Sequence, residues 1–79
     1  MEKRIAILGS TGSIGCQALS VARRMNLPIS ALAANSNISL LETQIREFRP
    51  QLVAVFDFEA AKKLKLAVSD CDVKIVTGI

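Results

Sequence analysis

Residues 5–15 read Ile-Ala-Ile-Leu-Gly-Ser-Thr-Gly-Ser-Ile-Gly, and this stretch decides the fold class of the chain. A short apolar run opens directly onto three glycines at three-residue spacing, and apolar residues at helical spacing follow. Glycines let the backbone curl and approach a ligand without Cβ clashes, and the N-terminus of a helix offers unpaired N–H groups to an anion. The order strand, glycine turn, helix therefore predicts a turn that binds phosphate groups.

The length and composition limit the chain to one small globular domain. It has 79 residues, of which 51% are hydrophobic, and its only aromatic residues are three phenylalanines. A composition rich in Ile, Leu, Val and Ala suits strands that are buried on both faces of a parallel sheet. The net charge of +3 is spread along the chain without clustered aromatic residues, so we expect no nucleic-acid partner.

The cysteines and the N-terminal region predict a cytoplasmic protein. Cys16 and Cys71 lie far apart and the sequence contains no histidine, so neither a disulfide framework nor a zinc site is expected. The first apolar run ends at Gly9 after residues 5–8, whereas an export signal needs roughly 7–15 uninterrupted apolar residues. No stretch approaches the ~20 apolar residues that cross a membrane, so we expect no membrane partner.

Strand and helix signals alternate along the chain. Strands are predicted at residues 4–8, 29–34, 51–56 and 73–76, and helices at residues 13–25, from 39 to about 48, and after residue 57. This alternation predicts an α/β fold, a Rossmann-like parallel sheet with flanking helices and right-handed crossovers. A complete dinucleotide-binding domain has about six strands, so residues 1–79 are predicted to be an incomplete N-terminal domain of a longer protein.

Three sequence features predict where the helices begin and end. Ser39 and Glu42 have the spacing of a capping box, so the second helix is predicted to begin there. Asp57 is a predicted N-cap for the third helix. Pro28 cannot continue the first helix, which is therefore predicted to end near Asn26.

The glycine turn has the spacing Gly-x-x-Gly-x-x-Gly rather than the Gly-x-Gly-x-x-Gly of typical NAD folds. A tight turn with close helix packing would explain one or two of these glycines. Three glycines interleaved with the hydroxyls of Ser10, Thr11 and Ser13 favour an anion cradle instead. In that cradle the hydroxyls and the backbone N–H groups from Thr11 through Gly12 and Ser13 to Ile14 would bind the pyrophosphate of a dinucleotide. A P-loop is excluded because no Gly-Lys-Ser/Thr follows.

The loop after the second strand indicates which dinucleotide binds. An NAD-binding fold places Asp or Glu about 20 residues beyond the turn, to accept from the ribose 2′-hydroxyl. Here the loop reads Asn35-Ser36-Asn37 and has no carboxylate, so its amides, hydroxyl and N–H groups can donate to a 2′-phosphate. NADP is therefore favoured over NAD, although the same loop also fits a turn and a helix N-cap.

These residues together resemble the start of the 1-deoxy-D-xylulose 5-phosphate reductoisomerase family. The resemblance rests on the Leu-Gly-Ser-Thr-Gly-Ser-Ile-Gly string at residues 8–15 and the Asn37 loop, with weaker similarity at residues 48–50 and 76–78. It implies cofactor contacts at the positions that match the family, which are Thr11, Gly12, Ser13, Ile14 and Asn37. Family members often have Gly-Lys before that asparagine, and Ser36 is the substitute donor here.

The resemblance also implies an activity for the longer protein. That activity is the NADPH-dependent, Mg²⁺- or Mn²⁺-dependent rearrangement and reduction of 1-deoxy-D-xylulose 5-phosphate to 2-C-methyl-D-erythritol 4-phosphate, in the non-mevalonate route to isoprenoids, by a homodimer. The family's metal-binding carboxylates and its site for the sugar-phosphate substrate come later in the sequence. No catalytic residue and no metal ligand is therefore assigned here, and residues 1–79 alone are expected to be inactive. Asp57 is interpreted as a cap, and Glu59, Asp70 and Asp72 as surface residues.

Two other functions stay open on sequence grounds. One is the NADP-binding module of another oxidoreductase, such as a short-chain or semialdehyde-type dehydrogenase, which would carry Tyr-x-x-x-Lys or a nucleophilic cysteine downstream. The other is a non-catalytic nucleotide-sensing domain that is complete at this length. Such a module would bind NADPH tightly as a stable monomer, whereas a fragment would fold poorly or bind weakly.

Overall fold

The computed structural model of the chain describes residues 5–77. The predicted start of the first strand at Arg4 lies outside this range. Strands and helices alternate through the described part, in the order β1 (Ala6–Leu8), α1 (Ser13–Met25), β2 (Ala31–Ala34), α2 (Ile38–Phe48), β3 (Leu52–Val55), α3 (Phe58–Ala67) and β4 (Lys74–Thr77). Within residues 5–77 no helix has the length and apolar character needed to cross a membrane.

The four described strands form one parallel sheet in the order β1-β2-β3-β4. Each helix connects one strand to its next neighbour, and the chain always moves across the sheet in the same direction. Because such connections are right-handed, all three helices lie on one face of the sheet. The buried core lies between that face and the helices, and it comprises Leu19, Ala22, Ile29, Leu32, Ala34, Leu41, Ile45, Val53, Val55, Ala60, Ala61, Leu64, Val68 and Ile75.

The helix boundaries follow local chemistry, with one correction to the sequence prediction. Helix α1 ends as predicted, because Asn26 adopts the left-handed conformation (φ 58°) just before Pro28. The capping box predicted at Ser39 and Glu42 is wrong. Helix α2 begins earlier, because the Asn37 Oδ1 atom accepts a hydrogen bond from the Leu40 N–H group at 3.2 Å. Ser39 therefore lies inside the first turn.

Ion pairs join α2 to α1 and to the loop after α3, at the edge of the sheet where the strands begin. The Arg23 guanidinium binds the Glu47 carboxylate between α1 and α2. Arg46 of α2 binds Asp70 through two nitrogens at 3.0 and 3.1 Å. These hydrogen bonds hold the pKa of Glu47 and the pKa of Asp70 below their usual values. All four side chains are substantially exposed, so the pairs add little to stability.

Asp57 caps α3 as predicted, and this cap gives a first testable prediction. Its Oδ1 atom accepts from the N–H groups of Glu59 at 3.0 Å and Ala60 at 3.5 Å. Asp57→Ala leaves both groups without this acceptor and is expected to lower the free energy of unfolding by about 1 kcal/mol. Urea unfolding of the complete protein measures the change. Asp57→Asn keeps an acceptor and serves as the control, and equal stability of Asp57→Ala and the wild type would contradict the prediction.

Candidate functional site

The glycine turn, residues 9–15, connects the carboxyl end of β1 to the start of α1. Gly9 has φ +66°, a conformation that other residues rarely adopt, and its carbonyl oxygen accepts from the Gly12 N–H group at 2.9 Å. The Ser10 N–H group donates to the Ala33 carbonyl of β2 at 3.0 Å. The turn is therefore closed on itself and fixed to the neighbouring strand.

Close packing of α1 against the turn requires glycine at position 15. A Cβ atom there would lie 2.0 Å from the Gly9 carbonyl oxygen and 2.8 Å from the Ser10 Cα atom. At Gly12 the same atom would be 3.4 Å from the Gly9 oxygen, which is an ordinary contact. The predicted role of glycine as a close-packing residue is thus strongest at position 15.

Helix α1 begins without a side-chain cap. Its N-cap is Gly12, and no side chain bonds to its first N–H groups within residues 5–77. Those groups have no partner inside the helix and, with the positive end of the helix dipole, favour an anion. Gly12, Ser13 and Ile14 are exposed and Thr11 is half-buried. The structure thus brings these four predicted residues together at one accessible helix N-terminus.

The loop after β2, residues 35–37, lies at the same edge of the sheet as the glycine turn. Leu8 at the end of β1 pairs with Ala33 near the end of β2, so the two connections leave the sheet side by side. Ser36 and Asn37 are both exposed. The Asn37 Oδ1 atom caps α2, which leaves its Nδ2 group as a donor toward a ligand. Asn37 can therefore cap α2 and donate to a ligand at the same time, which are the two roles that the sequence left open for this loop.

The loop after β3 also reaches this edge, which the sequence did not predict. The Asp57 N–H group donates to the Asn35 carbonyl at 3.1 Å. The Asp57 carboxylate is held by the N-terminus of its own helix. The first turn of α2 contains no acidic residue. The contact with Asn35 therefore brings the Asp57 carboxylate near the loop at residues 35–37, but this carboxylate is engaged in capping α3.

The Ser10 hydroxyl differs from the sequence prediction, which grouped it with those of Thr11 and Ser13. Ser10 is fully buried, because its peptide groups are bonded to β2 on one side and to α2 on the other. Its hydroxyl cannot contact a ligand at the surface. The partner on α2 is Gln44, which the sequence prediction missed. An amide among the apolar positions of an amphipathic helix is the signal that could have found it.

No metal-binding cluster is found within residues 5–77, and a cavity lies away from the candidate cofactor residues. No group of three or more Cys, Asp and Glu side chains within residues 5–77 could hold a metal ion. A cavity of about 360 Å³ lies at the opposite edge of the sheet, where Arg46, Pro50 and Asp70 contribute to its wall. None of the candidate cofactor residues lines that cavity.

Comparison with known proteins shows the family. A sequence model of 1-deoxy-D-xylulose 5-phosphate reductoisomerase matches residues 5–79. The reductoisomerase of Acetivibrio thermocellus is 57% identical over 79 residues, which are 100% of this chain and 21% of that protein. The reductoisomerase of Lachnoclostridium phytofermentans is 58% identical over 78 residues, 98% of this chain and 20% of that protein.

Solved structures agree with this match. The reductoisomerase from Zymomonas mobilis in complex with NADPH superposes with a TM-score of 0.89 at 26% identity, over 99% of this chain and 21% of that chain. A reductoisomerase in complex with NADPH, fosmidomycin and magnesium gives a TM-score of 0.90 at 31% identity, over 98% of this chain and 20% of that chain.

The fold and the glycine turn define an α/β protein of the Rossmann-like class, which confirms the predicted fold class. The chain belongs to the 1-deoxy-D-xylulose 5-phosphate reductoisomerase family. It spans about a fifth of the length of the curated relatives it matches.

Proposed function

We propose that this chain is the N-terminal, NADPH-binding part of a 1-deoxy-D-xylulose 5-phosphate reductoisomerase. The observation that carries the proposal is the uncapped N-terminus of α1, which lies beside the loop at residues 35–37, a loop without a carboxylate. The family match over residues 5–79 supports it. The relatives named above, together with solved reductoisomerases that hold NADPH, support it. In the complete protein, NADPH supplies the hydride for reduction to 2-C-methyl-D-erythritol 4-phosphate.

Each candidate residue has a stated task in this proposal. The N–H groups of Thr11, Ser13 and Ile14 bind the pyrophosphate, because they lie at the positive end of α1, which has no side-chain cap. The Gly12 N–H group stays bonded to the Gly9 carbonyl oxygen, and the missing side chain of Gly12 leaves room for the phosphate. Ser36 donates to the 2′-phosphate through its hydroxyl. These residues bind and orient the cofactor, and none of them is assigned a step in the chemistry.

Asn37 has a task at the same phosphate. Its Nδ2 group donates to the 2′-phosphate while its Oδ1 atom caps α2. The positive end of α2 adds to the attraction because its first turn has no acidic residue. NADPH is therefore the preferred dinucleotide in this proposal.

We infer that further parts of a longer protein complete this domain. Leu8 of β1 and Leu52 of β3 are 80% and 39% exposed and alternate along their strands with residues that face the helices, so they lie on the opposite face of the sheet. Phe56, just beyond β3, is 52% exposed. Parallel sheets normally have both faces covered, so an apolar face of this kind requires a cover. In the proposed whole protein the additional chain supplies that cover, the Mg²⁺ or Mn²⁺ ligands and the sugar-phosphate site. We propose a homodimer, located in the cytoplasm, where the free thiols of Cys16 and Cys71 stay reduced.

Titration of the complete protein with NADPH and NADH tests the cofactor proposal. We expect tighter binding of NADPH, because the loop at residues 35–37 donates hydrogen bonds and carries no carboxylate. Protein or cofactor fluorescence measures both dissociation constants. Much tighter binding of NADH would contradict the proposal.

Turnover separates the reductoisomerase from the alternatives. With Mg²⁺ or Mn²⁺, the complete protein is expected to oxidise NADPH only when 1-deoxy-D-xylulose 5-phosphate is present. NADPH binding without this turnover would favour another NADP-dependent oxidoreductase. Tight NADPH binding by residues 1–79 as a stable monomer would favour a self-contained nucleotide-sensing module instead.

A further inference from the structure

Gln44 is a buried amide on the core side of α2. It is 5% exposed and lies beside the buried residues Leu41 and Ile45. Burying an amide costs free energy unless hydrogen bonds compensate for the lost water. Its Nε2 group donates one short bond, whereas its Oε1 atom has no partner within residues 5–77. The bond from Nε2 is therefore the polar contact through which this buried side chain acts on the rest of the described fold.

That bond reaches the glycine turn. The Gln44 Nε2 group donates to the Ser10 carbonyl oxygen at 2.7 Å, over a sequence separation of 34 residues. The Ser10 N–H group is bonded to Ala33 of β2, and the Cys16 thiol also approaches the Ser10 carbonyl, at 3.5 Å. The backbone at Ser10 is therefore fixed between β2 and α2, directly before the proposed pyrophosphate contacts.

The same helix also carries the second proposed contact. Asn37 caps α2 at its start, and Gln44 follows it about two helical turns later. A rigid helix that is bonded to the glycine turn at Gln44 sets the distance between that turn and Asn37. We propose that Gln44 is a positioning residue, whose amide holds the glycine turn and the N-terminus of α2 at the separation that one dinucleotide spans. This inference rests on the proposed NADPH-binding function.

Two substitutions remove the donor in different ways. Gln44→Met keeps the length of the side chain and has no donor, and Gln44→Glu places a carboxylate against the Ser10 carbonyl. In the complete protein, both are expected to raise the NADPH dissociation constant and its KM about tenfold, the cost of a lost buried hydrogen bond. The kcat at saturating NADPH and the KM for the sugar phosphate are expected to stay near the wild-type values.

Gln51→Glu is the matched control. It makes the same chemical change at an exposed residue just before β3, at the opposite edge of the sheet from the glycine turn. NADPH binding is expected to be unchanged in this variant. An equal loss of affinity in Gln51→Glu would overturn the assignment to Gln44, because the effect would then follow charge alone.

The pH dependence of Gln44→Glu separates positioning from simple packing. When the new carboxyl group of this variant is protonated, its O–H group can donate to the Ser10 carbonyl, and burial favours this neutral form. The NADPH affinity of Gln44→Glu, relative to the wild type, is therefore expected to recover as the pH is lowered. The ratio for Gln44→Met is expected to stay constant, since methionine does not titrate, and parallel behaviour of the two variants would overturn the proposal.

Amide hydrogen exchange tests the same contact without NADPH. In the ligand-free complete protein, Gln44→Met is expected to speed exchange at the N–H groups of Ser10 and Gly12, which donate to the carbonyl oxygens of Ala33 and Gly9. If the wild type binds no NADPH, the proposed function fails and exchange still reports on the contact. If the wild type binds NADPH and both Gln44 variants bind it equally well, the positioning role is overturned. Should Gln44→Met fail to fold, Gln44→Glu measured at high and at low pH provides the same comparison, because its donor is absent when the carboxyl group is ionised and present when it is protonated.

Discussion

A Gly15→Ala variant of the complete protein is expected to lose about 3 kcal/mol of stability and its ordered glycine turn. The new Cβ atom would lie 2.0 Å from the Gly9 carbonyl oxygen and 2.8 Å from the Ser10 Cα atom. Both are backbone atoms, so no side-chain rotation relieves the overlap. Elsewhere in a helix, replacing glycine by alanine stabilises by about 1 kcal/mol, so the expected change has the opposite sign. Urea unfolding measures it.

Gly12→Ala is the control for this prediction. Its Cβ atom would make only an ordinary contact, 3.4 Å from the same Gly9 oxygen, so we expect the fold to be retained. The methyl group would stand at the N-cap of α1, where the pyrophosphate is proposed to bind. NADPH affinity is therefore expected to fall while stability stays near that of the wild type. If Gly15→Ala proved as stable as Gly12→Ala, the close packing of α1 against the backbone of Gly9 and Ser10 would be contradicted.

Asn37→Asp is expected to weaken NADPH binding by roughly 10- to 100-fold and to leave NADH binding nearly unchanged. A carboxylate oxygen can replace Oδ1 as the acceptor for the Leu40 N–H group, so the cap of α2 is retained. The Nδ2 donor, however, becomes a negatively charged oxygen facing the 2′-phosphate. Repulsion acts on NADPH alone, because NADH has a hydroxyl there. Parallel titrations with both cofactors measure the change in preference.

Thr43→Asp controls for the added charge. It places a carboxylate on the exposed surface of α2, farther along the helix from the loop at residues 35–37. This variant is expected to keep the wild-type preference for NADPH. An unchanged preference in Asn37→Asp would remove Asn37 from the 2′-phosphate site, and unfolding of Asn37→Asp would contradict the retained cap.

Local patterns made much of the fold predictable. The bounds of α1 match the prediction because periodicity, a glycine before the helix and Asn26 after it all act over a few residues. Strand bounds moved inward by one or two residues at β2 and β3, since pairing across the sheet, rather than composition, defines strand ends. The predicted N-cap of α2, Ser39, was wrong because tertiary geometry also decides where this helix begins. Asn37 and Ser39 both carry capping side chains, and the geometry of the chain leaving β2 selected Asn37.

The candidate site was predictable only where it is contiguous in sequence. Residues 11–14 share one turn, and residues 36–37 share one loop, so composition and spacing were enough to group them. The burial of Ser10 was not predictable in this way. It depends on Ala33 and Gln44, which come from β2 and α2 and reach the turn only after the sheet has formed.

The sequence by itself determined the alternation of strands and helices, the glycine turn and the absence of a carboxylate at residues 35–37. These features depend on backbone conformation and side-chain chemistry within short segments. The tertiary structure alone decided that all three helices lie on one face, that Asp57 approaches Asn35, and that Gln44 holds the turn. Those contacts join residues far apart in the chain, and only the order of strands in the sheet brings them together.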